Sequence, residues 1–367
     1  MTKITRTEDV NGLQVEKLKK EYFRRIEDST PQEIKDNPIF DLANSKAFKV
    51  RLDKEKIQEW QLWDWFEIYK KEAMVSTGGI RGAQNVRYPW DHRFPLNQLG
   101  VALATIGKAM VLKEDYPDKT VNKICSGEVR YNTDEYISII SRIQAAKGIV
   151  THIPLDKKRT SIWMTSFLIF MLDYDGGEYV TSSHAMSSKI ATKDLDNQGS
   201  QFVPEMSARF VEKIEEILKT AESVGFDIEL AEADSPLIVE DFDGYDLYLE
   251  YLRNGIATDE GINLIKQQTS QGMTTMIETV GGCMYGIIEN LFKRLEIFEA
   301  FEFNNTEEDP FYHGIGKTMF NPIKKTEEFF DWGCDLTVYE SLETVGYKEL
   351  LKDKEVGYVV LITDPDG

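Results

Sequence analysis

A regular alternation of short apolar runs and helix-patterned segments, from about residue 97 to about 218, most constrains this chain. Leu99, Leu103, Ile106 and Met110 recur at helical spacing. Residues 121–126 then read as a short strand. Thr133 can cap a helix carrying Ile137, Ile140 and Ile143, with Gly148 at its end. Residues 149–153 are a second strand, 161–172 another helix and 178–181 a third strand. A further helix starts at Pro204, with Phe210, Ile214 and Leu218 on one face. This alternation predicts layered α/β/α domains with mixed, mainly parallel sheets.

The flanks are read with the same rules. Residues 1–53 are charged and weakly patterned, with a short amphipathic helix expected over 17–26. Residues 54–69 predict one helix whose aromatic face holds Trp60, Trp63 and Phe66. Those tryptophans are expected to pack against the next domain rather than to stack on a carbohydrate. The acidic stretch 240–246 includes Asp241, Asp243 and Gly244, which loosely suggest a calcium loop. The other positions of such a loop do not fit, so a solvated acidic turn is the better reading. A second α/β unit is expected from about 256, with a helix over 284–298 and a strand over 356–362.

Composition removes several function classes. A length of 367 residues favours two or three domains, and 41% hydrophobic residues suffice for real cores. A formal net charge of −20 disfavours a nucleic-acid binder and an anionic membrane surface. An anionic substrate requires a local cluster of Arg, Lys and backbone N–H groups to override that field. Cys125, Cys283 and Cys334 are far apart, with no CxxC spacing, and read as reduced, buried thiols. The start lacks an apolar signal core, and the longest apolar run, 162–172, is too short to span a bilayer. A soluble, cytoplasmic protein is expected.

Four segments carry chemistry. In Thr181-Ser182-Ser183-His184 a strand delivers a serine to its carboxyl end, where α/β folds place ligands. In Ser76-Thr77-Gly78-Gly79-Ile80-Arg81-Gly82, three glycines let backbone N–H groups approach an anion closely, although the nucleotide P-loop pattern is absent. Ser126-Gly127-Glu128-Val129-Arg130 follows a strand. Thr363-Asp364-Pro365-Asp366-Gly367 follows another and supplies alternate carboxylates, which suit a hard metal.

In order and approximate spacing these four segments resemble the α-D-phosphohexomutase family of phosphoglucomutases and phosphomannomutases. The resemblance covers about residue 60 to the last residue. It implies domain 1 over 54–255, carrying the phosphoserine loop, and domain 2 over 256–367, ending inside the metal-binding loop. It further implies Ser183 as phosphoserine, with Asp364, Asp366 and a Ser183 phosphate oxygen holding Mg²⁺. Arg81 would stabilise the transferring phosphoryl group, Lys193 or His184 would handle the hydroxyl proton, and Thr77 would contact substrate. The segment 126–130 would support the active-site loops, with Arg130 placed closer to the chemistry as a second substrate contact. The implied reaction is an isomerisation of sugar 1-phosphate and 6-phosphate through a bisphosphorylated sugar, with a glucose 1,6-bisphosphate-type activator. A homodimer is left open, and the isolated chain is expected to be poorly active. Three departures stand out: Ala185-Met186 replaces Asn-Pro, Ala191 replaces Gly, and the third metal aspartate and its arginine lie past the last residue. These departures support an alternative, a non-catalytic sugar-phosphate-binding or regulatory paralogue. An apolar strand followed by Asp-x-Asp-Gly also resembles haloacid-dehalogenase-type phosphatases, with Asp364 as nucleophile, but there the motif comes early in the chain.

Overall fold

The computed structural model describes residues 42–46, 48–75, 79–83, 96–187, 189–320, 328–354 and 358–367. Its elements, in order, are β1 (Phe48–Leu52), α1 (Lys54–Glu59), α2 (Leu62–Val75), β2 (Gly79–Ala83), α3 (Gln98–Asp115) and β3 (Asn122–Gly127). Next come α4 (Thr133–Ala146), β4 (Val150–Pro154), α5 (Ile162–Met171), β5 (Gly177–Val180), β6 (Lys189–Leu195) and α6 (Pro204–Ser223). Then follow β7 (Phe226–Leu230), β8 (Ile238–Phe242), α7 (Tyr245–Gly255), α8 (Asp259–Ser270), β9 (Thr275–Glu278) and α9 (Met284–Arg294). The chain finishes with β10 (Phe301–Asn304), β11 (Gly316–Phe320), β12 (Glu328–Trp332), α10 (Tyr339–Val345), α11 (Tyr347–Leu351) and β13 (Val359–Ile362).

Two sheets organise the molecule. The larger has the strand order β2-β6-β5-β3-β4-β8. Its β5-β3, β3-β4 and β4-β8 pairs are parallel, whereas β6 runs antiparallel to both β2 and β5. The smaller sheet, β10-β9-β13, is parallel throughout. This is the mixed, mainly parallel α/β architecture that the alternating pattern predicts. Two antiparallel ribbons, β1-β7 and β11-β12, flank the sheets.

Local chemistry accounts for the elements. Asn97 caps α3 by accepting from the Gly100 N–H at 2.8 Å, and Ser161 caps α5 by accepting from Met164 N–H at 3.2 Å. Pro204 opens α6, where its missing donor costs nothing. Residues 98–109 of α3 are all buried, because α6 covers the helix on one side. Gly107 permits that approach: a Cβ there would stand 2.9 Å from the Phe210 carbonyl oxygen. Trp60, Trp65, Phe66 and Tyr69 join this core, which also holds Phe210, Ile214 and Leu218.

Several boundaries differ from the sequence expectation. The helix expected over 54–69 is two helices, broken at Gln61, which takes a φ of 50°. Thr133 is the first helical residue of α4 rather than its cap; Asn132 holds that position without a side-chain cap bond. The helix expected over 284–298 ends at Arg294. The acidic stretch after 238 is not a turn: Glu240 and Asp241 lie on edge strand β8, and α7 begins at Tyr245. The adjacent acids Glu240 and Asp241 are both exposed while Phe242 joins the core, so the strand lacks the alternation that would have marked it. The helix expected over 17–26 lies outside the described residues, as do residues 356–357 of the expected final strand. Cys125, Cys283 and Cys334 are free and buried. Among the described residues no helix is long and apolar enough to cross a membrane.

Candidate active site

The site forms where the carboxyl end of β5 meets the carboxyl end of β13, so one residue group comes from each sheet. Beyond β5, Ser183 takes a φ of 51°, a left-handed conformation that costs an L-residue about 1–2 kcal/mol. Arg130 holds the turn. Its Nη2 donates to the Ser183 carbonyl, and its Nη1 donates to the Met186 and Lys189 carbonyls at 2.9 and 3.1 Å. Its Nε donates to Glu128 Oε1 at 2.8 Å, and its guanidinium lies over the Tyr312 ring, 5.3 Å from the centroid. Arg130 is buried and its nitrogens are committed to the loop. This geometry agrees with the loop-supporting role expected of the 126–130 segment.

Beyond β13, the second group is clamped from both sides. Ile162 N–H, at the start of α5, donates to the Asp366 carbonyl at 3.0 Å. Cys283 N–H, before α9, donates to the Pro365 carbonyl at 3.0 Å. The turn after β9 must pass close by, and a Cβ on Gly282 would lie 2.4 Å from Pro365 Cα. That turn is itself held by buried Glu278, which accepts from Val280 N–H at 2.7 Å and from the Asn304 and Asn305 side chains at 2.5 and 3.0 Å. Sequence reading passed over Glu278 and Tyr312. The only trace of Glu278 is an acid closing an apolar strand before two glycines.

The two groups meet directly. Ser183 Oγ donates to Asp364 Oδ2 at 2.8 Å across 181 residues of sequence. Thr181 Oγ1 lies 2.8 Å from Asp366 Oδ2 and 2.9 Å from Glu128 Oε1, and it accepts from Ser183 N–H at 2.7 Å. One hydroxyl proton serves one carboxylate at a time. Burial pushes Glu128 up to about 7, against the pull of Arg130, so near neutrality its protonated form can donate to Thr181 in turn. Burial and the neighbouring Asp366 charge likewise raise Asp364 above the usual carboxylate range.

The remaining sequence-predicted residues fall as follows. Lys193, on β6, places Nζ 3.6 Å from Asp366 Oδ2. Arg81 is not on a glycine loop but on β2, in register with Ala191 of β6. It is half-buried; burial and the nearby Arg130 lower its pKa, and Asp366 and Asp364 offset this. His184 is exposed, with Nδ1 4.0 Å from Asp335 Oδ2. Thr77 lies outside the described residues.

A hard cation finds partial accommodation. Asp364 Oδ1 is buried without a hydrogen-bond partner among the described residues, an orphan that a cation would satisfy. With Asp366 and Ser183 it offers the oxygen donors that Mg²⁺ takes, alongside retained waters. Among the described residues no group of three His, Cys, Asp or Glu side chains is arranged to hold a metal.

No family model and no curated protein matches the chain. Solved structures do. A protein described as a phosphomannomutase from Thermus thermophilus superposes with a TM-score of 0.55 at 15% identity, over 80% of this chain and 55% of that one. The exocytosis-sensitive phosphoprotein parafusin, a phosphoglucomutase from Paramecium in its open form, gives 0.53 at 16% identity, over 79% and 51%. The chain has a phosphohexomutase-like fold. It spans about half the length of these two structures. Within that fold, the loop holding Ser183 and the turn holding Asp364 come from different sheets, and tertiary packing alone joins them.

Proposed function

We propose that this chain carries the phosphoserine and metal-binding part of a sugar-phosphate mutase site. The supporting observation is the 2.8 Å contact between Ser183 Oγ and Asp364 Oδ2, made by two loops from separate sheets. In the proposed step, the bond between phosphorus and Ser183 Oγ breaks as a sugar hydroxyl oxygen bonds to phosphorus. The hydroxyl proton passes to Lys193 or His184, and the second half-reaction returns the sugar's other phosphoryl group to Ser183. Arg81 supplies positive charge beside the transferring group, and Arg130 keeps the serine turn in place. Asp364 and Asp366 would hold Mg²⁺, which when bound neutralises phosphoryl oxygen charge. Thr77 would contact the sugar phosphate, and a glucose 1,6-bisphosphate-type activator would load the serine.

Loading is the direct test. Incubation with glucose 1,6-bisphosphate and Mg²⁺, followed by peptide mass spectrometry, is expected to place one phosphoryl group on Ser183. Ser183→Ala should abolish the label, and Asp364→Asn should cut it at least tenfold. A label on Asp364, or none at all, would overturn the proposal. A second reading, a sugar-phosphate-binding paralogue without turnover, draws support from the absence of a three-ligand metal cluster among the described residues. Saturable binding of glucose 1-phosphate without Ser183 labelling would favour it.

A further inference from the structure

A second cluster of cations lies outside the candidate active site, in a cavity of about 250 Å³ between α4, the end of β4 and the segment that precedes β8. Its key residue is Arg142 on α4. This side chain is buried, and most of its donors are used: Nε donates to the Ala231 carbonyl at 2.8 Å, and Nη1 to the Leu42 and Ala43 carbonyls at 2.9 and 3.2 Å. Its Nη2 is buried and has no hydrogen-bond partner among the described residues. A buried, unsatisfied guanidinium nitrogen is costly, because a charged donor has lost water and gained nothing in exchange. Burial lowers the Arg142 pKa, and Glu232 partly restores it.

Further charge lines the same cavity. Lys157, Lys158 and Arg159 follow β4 in one run, against only Asp134 and Glu240 among the lining acids. Arg159 is neutralised by Asp134, with contacts of 2.6 and 3.1 Å. Lys158 stands 3.8 Å from exposed Asp156, a loose pair in water. Lys157 is exposed, with no ion pair among the described residues. The lining thus sets four cations against two acids, with Asp156 and Glu232 close by but not among the lining residues.

We propose that this cavity is a binding site for a phosphate-type dianion, held by the free Nη2 of Arg142 and by the ammonium groups of Lys157 and Lys158. Donors from three side chains suit the several oxygens of a phosphate monoester better than the two of a carboxylate. A guanidinium fork also suits tetrahedral oxyanions. The half-buried apolar walls Ile137, Ile153 and Ile238 leave room for a small organic portion. The site does not depend on the mutase reading, since it shares no residue with the Ser183 and Asp364 cluster.

Calorimetric titration of the full chain with inorganic phosphate at low ionic strength tests this. Lys157→Glu with Lys158→Glu alters only exposed side chains, so the fold should survive, as circular dichroism would verify. Phosphate affinity at this site should fall at least tenfold, and serine labelling by glucose 1,6-bisphosphate should not change. Arg142→Lys, which keeps the charge and removes the fork, should weaken binding as well. Sulfate should compete and acetate should not. Crystals grown with phosphate should show it within hydrogen-bond distance of Arg142 Nη2. Unchanged affinity in the double lysine variant, equal competition by acetate, or phosphate found only at the Ser183 loop would each overturn the proposal.

Discussion

The two sheets bury themselves to very different degrees. In the six-stranded sheet β5 is buried along its whole length, as is β3 after Asn122. Even charged groups are enclosed there. Lys108 Nζ lies 2.9 Å from Glu178 and 2.7 Å from Asp194, while Lys123 Nζ is 3.2 Å from Glu178. Gln144 donates to Glu178 at 2.7 Å. Burial alone would raise Glu178, but the two lysines reverse this and hold it at about 2. In the three-stranded sheet, β13 is an edge that leaves Val359 47%, Leu361 50% and Ile362 39% exposed. Yet β13 delivers Asp364 and Asp366. A site can thus be fixed on one side by a packed sheet and on the other by loop clamps. The serine half inherits rigidity from β5, and the carboxylate half takes it from the backbone bonds of Ile162 and Cys283.

The largest expected effect breaks the buried side of this comparison. Glu178→Ala leaves buried Lys123 without its carboxylate and Lys108 with Asp194 alone, and should cost about 3–5 kcal/mol in urea unfolding. A loss below about 1 kcal/mol would show that water reaches this network. Next is Glu128→Gln. Because the folded carboxyl titrates near 7 and the ordinary value is 4.5, the folded state binds the extra proton between those values. Stability from this group is full below pH 4.5, falls as pH rises to 7, and is level above. The span is at most about 3 kcal/mol, and the variant should flatten it in a stability–pH series. Gly282→Ala tests the clamp by pushing a Cβ into Pro365. A loss of about 1–3 kcal/mol is expected, with a greater proportional loss of Ser183 labelling. The smallest effect belongs to the exposed edge: Leu361→Ser should change unfolding free energy by about 0.5 kcal/mol or less. A larger cost would mean that β13 is covered in solution.

Much of the architecture was legible because it is local. The helical spacing of Leu99, Leu103 and Ile106 and the proline at 204 each act within a few residues of themselves, and these elements formed close to their expected bounds. Where local pattern was silent, reading failed. Nothing near Gln61 marks the break between α1 and α2, and the acids of β8 hide an edge strand. Ser183, Asp364 and Asp366 stood out separately as strand-end residues, but only the motif resemblance joined them, since neither loop contains a signal for its partner 181 residues away. The loop-supporting role of the 126–130 segment was expected from its place in the motif order, but the carbonyls that Arg130 meets are set by how the 183–189 segment folds back.

The sequence by itself determined the alternating elements, the acidic charge balance and which residues were candidates for the site, because periodicity and side-chain chemistry are properties of short stretches. Tertiary structure alone decided that a serine from one sheet would face two carboxylates from another, which carbonyls Arg130 would hold, and that Arg142 would keep a donor without a partner. Those outcomes depend on packing between segments far apart in the chain, where burial turns an ordinary side chain into a strained, shifted or unsatisfied one.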